Sequence, residues 1–381
     1  MLNSPKPSIL IFIEHYLPGY KFGGPIRSVA NLVTLLKPHY DIYLVTRDRD
    51  QGDLQPYADI TIGEWVYKDG YHLLYLRPNQ FGIGTINRLL TERTYDYLYT
   101  NSLFSRFTRV LLLLAVFSRR QLTIAPRGEL HAGALRLKAY KKRPYVSLIR
   151  LLTDNLIIWH ATDQQEVEAI QQTFDRPRVA CVPIRFAPDL PGGVVERNAL
   201  HKQPGQLKLL SLARLARNKG LKFLLECLLK LTGGQITLDI FGPIVDARYW
   251  EECRALIAAM PAHCQVIYRG ELDHALVGQT MQQYDFLAMP THGENFGHVI
   301  FEALSSGLPV LISDQTPWRG LEETQAGFDM ELVPAVWLEK LAYCLNLDSH
   351  QYSRLSKAAV ELSTAYLQSQ SFEQDYINIF S

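Results

Sequence analysis

Short apolar runs alternate along the chain with longer segments whose apolar residues recur at helical spacing. Runs of this kind predict buried strands, and the longer segments predict amphipathic helices. The predicted strands are Ser8–Ile13, Asp41–Thr46, Leu73–Leu76, Tyr97–Tyr99, Gln121–Pro126, Leu156–His160, Val179–Val182, Leu207–Leu212, Ile236–Phe241, Val266–Arg269, Phe286–Met289 and Pro309–Ile312. The predicted helices of the first half are Gly24–Leu36, Gly84–Arg93, Ser105–Ser118 and Gln164–Gln172. Strands that alternate with helices favour parallel sheets covered by helices.

The alternation stops once, between residues 183 and 206, where prolines and glycines replace the periodic pattern. That composition predicts a linker between two α/β domains. Each domain is expected to be a Rossmann-like, doubly wound sheet that binds ligands at the carboxyl ends of its strands. The predicted divisions are a first domain over 1–185, a linker over 186–206, a second domain over 207–365 and a terminal helix over 366–381.

Composition and charge exclude several classes of protein. The chain has 381 residues, and its 39 basic and 38 acidic residues leave a net charge of +1, which argues against a dedicated nucleic-acid binder. Five cysteines without a Cys-x-x-Cys pair fit neither a disulfide framework nor a zinc site. The longest apolar stretch, Val110–Phe117, is too short to span a membrane, and no secretion signal opens the chain. We therefore expect a cytoplasmic protein.

The segment between residues 290 and 304 is the richest candidate site. A buried strand ends at Pro290, a turn with glycine follows, and a helix is predicted to begin near Gly297, where free N–H groups favour anions. Glu294 lies on the turn, and Glu302 lies two helical turns later. Carboxylates beside an anion site suit the hydroxyls of a sugar or a ribose. The alternative is that Glu294 caps the helix and Glu302 is a solvated residue.

Two further segments have the residue types of a phosphate site. Arg214 and Lys219 lie five positions apart after a predicted strand, so both can reach one anion; the alternative is a solvated turn with two unrelated charges. Gly23 and Gly24 open a predicted helix and allow a ligand to approach the backbone. The Gly-x-Gly-x-x-Gly pattern of dinucleotide-binding domains does not occur.

Two further segments are notable for their charged residues. Residues 119–150 contain nine basic residues against the single acid Glu129, with tyrosines and leucines between them, which favours anionic lipid headgroups or an acceptor phosphate. The alternative is a solvated basic face. Asp48 and Asp50 flank Arg49 in an Asp-x-Asp pattern and are predicted to lie in a solvated loop.

Taken together, these segments resemble the retaining GT-B glycosyltransferases of family four, the group 1 glycosyltransferases. The resemblance covers nearly the whole chain and rests on Gly23-Gly24, residues 125–130 (APRGEL), 160–166 (HATDQQE), Arg214 with Lys219, 239–243 (DIFGP), Glu294 with Glu302, 307–310 (GLPV) and 316–318 (TPW). It implies two Rossmann-like domains that face a cleft, and a C-terminal helix that crosses back to the first domain. It also implies metal-independent transfer of a sugar from a UDP- or GDP-linked donor with retention of anomeric configuration.

The resemblance assigns roles to individual residues. Glu294 is implied to hold donor-sugar hydroxyls, and Arg214 and Lys219 to neutralise the leaving diphosphate; these three are the predicted catalytic residues. Glu302 is implied to accept from ribose hydroxyls. The remaining donor-binding residues are Gly23, Gly24, Arg127, Gly242, Asn295, Phe296, Gly297 and His298. The chain departs from many relatives at Asn295, where they have glycine, and at Arg127, where they have histidine. Arginine favours binding over base catalysis at that position.

The predicted function is that of a hexosyltransferase in polysaccharide or glycolipid assembly, at the inner face of the membrane. Its partners are expected to be a nucleotide sugar and a saccharide or lipid-linked saccharide acceptor, with an anionic membrane surface contacted through residues 119–150. No cofactor, metal or nucleic acid is expected. Two alternatives remain open: a nucleotide-sugar epimerase on the same fold, which needs no acceptor, and an inactive module that binds nucleotide sugars.

Overall fold

The chain divides into two compact units. A computed structural model describes residues 6–131, 135, 139–152, 156–175, 177–182, 202–368 and 372–380. The first unit comprises Met1–Ala187 and Ser371–Ser381, and the second comprises Pro188–Gln370. Residues 186–201 of the predicted linker lie outside the described residues.

The first unit is built on an eight-stranded sheet with the order β3-β4-β2-β1-β5-β6-β7-β8. β3 pairs with β4 in antiparallel orientation, and the other strand pairs of this sheet are parallel. The strands are β1 (Ser8–Phe12), β2 (Asp41–Arg47), β3 (Trp65–Lys68), β4 (Tyr71–Leu76), β5 (Tyr97–Asn101), β6 (Leu122–Ala125), β7 (Ile157–Ala161) and β8 (Arg178–Cys181). The helices between them are α1 (Gly24–Leu36), α2 (Ile83–Glu92), α3 (Arg106–Ser118), α4 (Ala139–Leu152) and α5 (Gln164–Thr173).

Helices cover both faces of this sheet because its strands are apolar on both sides. Ile9 and Ile11 of β1 belong to one core cluster, which also contains Val29 of α1. Leu10 of β1 lies in the other cluster, which contains Phe107 of α3. Successive side chains of a strand point to opposite faces. The continuous apolar run therefore supplies two cores at once, as expected for a doubly wound sheet.

The second unit is built on a six-stranded parallel sheet with the order β11-β10-β9-β12-β13-β14. Its strands are β9 (Gln206–Leu212), β10 (Gln235–Phe241), β11 (Cys264–Gly270), β12 (Phe286–Met289), β13 (Val310–Ser313) and β14 (Gly327–Met330). Its helices are α6 (Leu221–Leu228), α7 (Ala247–Ala258), α8 (Val277–Met281), α9 (His298–Ser305), α10 (Pro334–Asn346) and α11 (Ser349–Gln368). The two predicted Rossmann-like domains are thus confirmed.

The last helix returns to the first unit. α12 (Phe372–Ile377) packs on α1, and Tyr376 and Phe380 are almost completely buried. The ring of Phe380 contacts Tyr40 and Tyr99 with centroids 5.8 and 6.1 Å apart. The predicted return of the chain to the first domain is therefore confirmed. In the described part of the chain, no helix is both long and apolar enough to cross a bilayer.

Candidate functional site

Four of the predicted site residues follow neighbouring strands of the second sheet. Arg214 and Lys219 come after β9, Gly242 after β10 and Glu294 after β12. β9 lies between β10 and β12, and the three strands are parallel. Their carboxyl ends therefore meet at one edge of the sheet, which is where ligands bind in open α/β sheets.

The turn after β9 and the loop after β12 are held together by their backbones. Asn218 O accepts hydrogen bonds from His292 N at 2.8 Å and from Thr291 Oγ1 at 2.9 Å. Gly220 has a φ of 74°, and a Cβ atom there would lie 1.8 Å from Pro290 O. Only glycine permits this approach, and the approach places Lys219 beside Glu294.

Lys219 and Glu294 form an ion pair in a largely buried position. The distance from Lys219 Nζ to Glu294 Oε2 is 2.5 Å, and 15% and 21% of the two side chains are exposed. Glu294 is therefore not a helix cap, and Lys219 is not in a solvated turn. The helix that follows has Gly297 as its N-cap, without a side-chain hydrogen bond.

Arg214 is a second cation at the same edge of the sheet. Its burial lowers the pKa of its guanidinium, and the charge of Glu294 acts in the opposite direction. Within the described residues, Arg214 makes no hydrogen bond or ion pair. The site therefore combines two cations with one carboxylate, and one of the cations has donors available to an anion.

Gly242 acts on Arg214 through the backbone. A Cβ atom at Gly242 would lie 2.0 Å from Ala213 O, and the φ of Gly242 is 138°. Ala213 N also donates to Phe241 O at 3.1 Å. The segment that leads to Arg214 thus lies directly against Gly242, so this glycine positions the arginine.

The start of α9 presents its backbone, not the side chain of Phe296. Phe296 is buried against the rings of Trp318 and Tyr366, and Trp318 Nε1 donates to Phe296 O at 2.6 Å. The neighbouring Asn295 and His298 are partly exposed. Gly297 is buried with a φ of 78° and begins the helix. The side chain and the carbonyl of Phe296 are therefore both engaged within the protein.

Glu302 pairs with His274, a residue outside every motif of the sequence. Its Oε1 atom lies 3.0 Å from His274 Nε2, and 16% of the glutamate side chain is exposed. Glu302 is therefore not a solvated residue. His274 lies 28 positions earlier, on a short 3-10 turn. No local sequence pattern connects the two residues, so only the folded structure identifies the pair.

Gly23 and Gly24 lie in the first unit, at the start of α1. Gly23 is the N-cap with a φ of 77°, and a Cβ atom there would have no atom within 4 Å. The loop before it is fixed by Asp50, whose Oδ2 accepts from Tyr20 N at 2.6 Å and Lys21 N at 2.9 Å. The prediction that Asp50 is solvated is wrong, because its side chain is only 3% exposed. The two backbone amides replace water as its hydrogen-bond donors.

Asp48 is buried as well, at 1% exposed, and its Oδ1 accepts from Arg49 Nε at 2.8 Å. The Asp-x-Asp pattern is therefore an internal polar feature of the first unit. No group of three or more His, Cys, Asp or Glu in the described part of the chain is arranged to hold a metal ion.

Arg127 follows β6 in the first unit. Its Nε donates to Asn101 Oδ1 at 2.9 Å, and its Nη2 donates to the hydroxyl of Tyr99 at 3.0 Å. Arg127 has a φ of 54°, in the left-handed region that disfavours side chains. Arg136 and Lys138, two of the predicted basic residues near it in sequence, lie outside the described residues.

Comparison with protein families and curated proteins gives partial matches. Residues 195–327 match the family model of the glycosyl transferases group 1. The sulfoquinovosyl transferase SQD2 of Arabidopsis thaliana is 30% identical over 109 residues, which make up 29% of this chain and 20% of that protein. The match thus covers one fifth of this relative's length.

Solved structures match over almost the entire chain. The sucrose-phosphate synthase from Thermosynechococcus elongatus has a TM-score of 0.72 at 16% identity, over 98% of this chain and 97% of that one. Anabaena HepE in complex with UDP and glucose has a TM-score of 0.69 at 16% identity, over 98% of each chain. WaaG, a glycosyltransferase involved in lipopolysaccharide biosynthesis, has a TM-score of 0.65 at 15% identity. These matches show that the fold is GT-B.

Proposed function

Since residues 195–327 match the family model of the glycosyl transferases group 1, we propose that this chain transfers a sugar from a nucleoside-diphosphate sugar to an acceptor hydroxyl. The observation that carries the proposal is that Arg214 lacks a hydrogen-bonding partner in the part of the chain that the structure describes. It is a half-buried cation that feels the charge of Glu294 and makes no hydrogen bond or ion pair with any described residue. Taking a charge partly out of water without hydrogen-bond partners is unfavourable. A diphosphate at the carboxyl ends of β9 and β12 would supply that partner.

Arg214 and Lys219 have the charge needed for departure of the diphosphate. As the bond to the anomeric carbon breaks, negative charge grows on the leaving oxygen, and fixed cations stabilise it. In this scheme the two side chains provide that stabilisation without a metal ion. Glu294, which contacts Lys219 through Oε2, keeps Oε1 for a donor-sugar hydroxyl. We propose that the acceptor attacks from the face that the diphosphate leaves, so that configuration is retained.

Glu302 is proposed to bind the ribose of the nucleotide. Two ribose hydroxyls can donate to one carboxylate, and His274 holds that carboxylate in place at 3.0 Å. The structurally similar Anabaena protein is in complex with UDP and glucose, which supports a UDP-hexose as the first donor to test, with a GDP-hexose as the second.

We also propose that the acceptor is a saccharide or a lipid-linked saccharide, used in polysaccharide or glycolipid assembly at a membrane. Helix α4 exposes 74% of Tyr140 and 53% of Leu148, and Lys141 and Arg143 lie on the same helix. Exposed aromatic and apolar side chains among basic residues are typical of helices that contact anionic lipid surfaces. The similarity to WaaG supports this role.

The test is transfer from UDP-hexoses and GDP-hexoses to saccharide acceptors, with Arg214→Ala as the variant. We expect its turnover to fall by about 10²-fold or more, because one preorganised charge at the leaving group is lost. The matched control is Arg217→Ala. Arg217 lies three positions away, and Asp246 and Glu252 are within ion-pair distance of its guanidinium. We expect this control to retain turnover within a few-fold.

Three outcomes would contradict parts of the proposal. Near-native turnover of Arg214→Ala at saturating donor would remove the arginine from the diphosphate. Isomerisation of the donor sugar without an acceptor would instead indicate an epimerase. An NMR spectrum that shows an inverted anomeric configuration in the product would exclude retention.

A further inference from the structure

The carboxyl ends of β5 and β6 place two polar side chains against each other in the first unit. Asn101 is the last residue of β5, and Arg127 follows β6 by two positions. Arg127 Nε donates to Asn101 Oδ1 at 2.9 Å. Because an arginine can only donate, the amide oxygen must face the guanidinium, and the amide nitrogen of Asn101 must point elsewhere.

Each of the two side chains has a buried donor without an acceptor. Asn101 is 1% exposed, and its Nδ2 atom is buried without a hydrogen bond to any described residue. The Nη1 atom of Arg127 is likewise buried without a hydrogen bond to any described residue. Buried donors are almost always paired in folded proteins, and an unpaired one is costly. Two such donors on side chains in direct contact indicate a position for an acceptor group.

The charge of Arg127 is also uncompensated. The nearby carboxylate of Glu129 accepts from Ser102 Oγ and Leu103 N, at 2.8 and 2.6 Å. Glu166 accepts from Gly128 N and Thr162 N, at 2.6 and 2.8 Å. Both carboxylates are thus engaged by other groups, and Arg127 forms no ion pair within the described residues.

A hydrogen-bond chain fixes the orientation of the guanidinium. Arg127 Nη2 donates to the Tyr99 hydroxyl, which lies 2.9 Å from His160 Nδ1, while His160 Nε2 lies 2.9 Å from Val182 O. Burial and then the charge of Arg127 lower the pKa of His160 to about 3, so the imidazole is neutral at neutral pH. A neutral imidazole donates from Nε2 to the carbonyl and accepts at Nδ1, which makes every bond in the chain consistent.

The backbone conformation at position 127 is unfavourable for arginine, as for any residue with a side chain. Arg127 has a φ of 54°, and Ser102, directly after Asn101, has a φ of 75°. Residues that carry a side chain are strained in this region. Strained conformations of this kind cluster at binding sites, where the surrounding structure maintains them.

We infer that Arg127 and Asn101 bind an anionic substituent of a substrate: a carboxylate, sulfonate or phosphate. Arg127 Nη1 and Asn101 Nδ2 would donate to oxygens of that group, and the guanidinium would supply the charge. The inference rests on the proposed function, since the anion would belong either to the donor sugar or to the acceptor. It narrows the substrates to those of which one is a sugar acid or another acidic saccharide.

Calorimetry with matched ligands tests the inference in two arms. The donor arm compares UDP-glucuronic acid with UDP-glucose, which differ by one carboxylate. The acceptor arm compares glucose 6-phosphate with glucose, with and without UDP. We expect the parent to prefer the acidic member by roughly ten- to a hundred-fold in one arm, as for a charge-assisted hydrogen bond. The arm that shows the preference identifies the substrate that carries the anion.

Three variants show whether these residues cause the preference. Arg127→Gln should abolish the preference for the acidic ligand, and Asn101→Ala should reduce it. Arg127→Lys should retain part of the preference, because lysine keeps the charge but lacks the planar set of donors of the guanidinium. The matched control is Arg88→Gln, which removes the same charge from an exposed arginine of the same unit that already pairs with Glu92. This control should keep the full preference. The melting temperature of each variant is measured to show whether its fold is intact.

Equal affinity for the acidic and neutral members in both arms would overturn the inference, and so would a preference that survives Arg127→Gln. Binding of UDP or GDP alone separates this failure from that of the proposed function, and the donor pair is linked to the nucleotide that binds. A parent that binds one of these nucleotides without preferring either acid refutes only the anion site. A parent that binds neither refutes the proposed donor, and the comparison of glucose 6-phosphate with glucose without nucleotide still decides whether Arg127 binds an anion.

Discussion

Glu294 interacts with two cations, Lys219 by direct contact and Arg214 through its charge. It contacts Lys219 at 2.5 Å, and its charge counteracts the effect of burial on the pKa of Arg214. A diphosphate that binds here must share Lys219 with this carboxylate. Glu294 is therefore expected to orient the lysine, and its own contribution is expected in the reaction step.

The two glutamates are expected to act at different stages. Glu302→Ala should weaken the binding of UDP by about ten- to a hundred-fold, because the acceptor for the ribose hydroxyls is lost. Glu294→Ala should leave UDP affinity within a few-fold and lose turnover. Calorimetry on both variants measures UDP affinity, and transfer assays measure turnover. Glu322→Ala is the control, since Glu322 is an exposed residue of the same unit that pairs with Lys340. The opposite pattern would mean that the two roles are exchanged.

Some site residues can be predicted from sequence and others cannot. Lys219 and Glu294 lie in segments that resemble a known family, so their association was expected across 75 positions. His274 and Asn101 have no such signal, because their roles arise from contacts with residues far away in sequence. Asp50 was predicted to be solvated because aspartate usually is, but the amides of a neighbouring loop outweigh that tendency.

At the level of elements, the turn after β9 depends on the absence of one side chain. Gly220→Ala would place a Cβ atom 1.8 Å from Pro290 O, so the turn and the loop would have to separate. Gly233→Ala is the matched control, with a φ of 80° against 74° and no atom within 4 Å of the new Cβ. The control should cost about 1–2 kcal/mol. Gly220→Ala should cost clearly more in chemical denaturation and also lose turnover. Equal costs would show that the contact with Pro290 is not restrictive.

The two strands that were not predicted are β3 and β14, each at one edge of its sheet, whereas the opposite edge strands β8 and β11 were predicted. The residues of β3 are half-buried or exposed, and β14 contains a glycine and an aspartate. Neither strand therefore has a continuous apolar run, which is the signal that predicts a buried strand. Central strands such as β12 are buried at every position, and the sequence predicted its bounds.

Helix α4 is expected to contact anionic membranes. Changing Lys138, Lys141, Lys142 and Arg143 to glutamine together should release the protein from anionic vesicles, since each basic residue near such a surface contributes about 1 kcal/mol. Binding of the parent should fall as salt rises, because exposed charges are screened. The control changes four exposed basic residues of the second unit: Lys230, Arg254, Arg354 and Lys357. Vesicle flotation measures both proteins. No binding of the parent at low salt would leave α4 as a solvated basic face.

On the scale of the whole molecule, the stability of the first unit depends on the other end of the chain. Phe380→Ala should destabilise this unit by about 3–5 kcal/mol, as for other buried phenylalanines. Asn378→Ala, an exposed change in the same segment, should have little effect. Thermal unfolding in the presence of UDP, which is proposed to bind the second unit, should separate the two transitions. A uniform shift of both transitions by Phe380→Ala would contradict this assignment.

The position of Phe380 also has a consequence for synthesis. Its partners Tyr40, Tyr97 and Tyr99 are translated long before the residue that covers them. At about 5–20 residues per second, the ribosome needs more than ten seconds to make the intervening chain. During that time an aromatic surface of the nascent first unit lacks its cover, while the second unit can already complete its own core. Of the two units, the one that begins earlier in the chain is therefore the later to be finished, and chaperones have that interval in which to bind it.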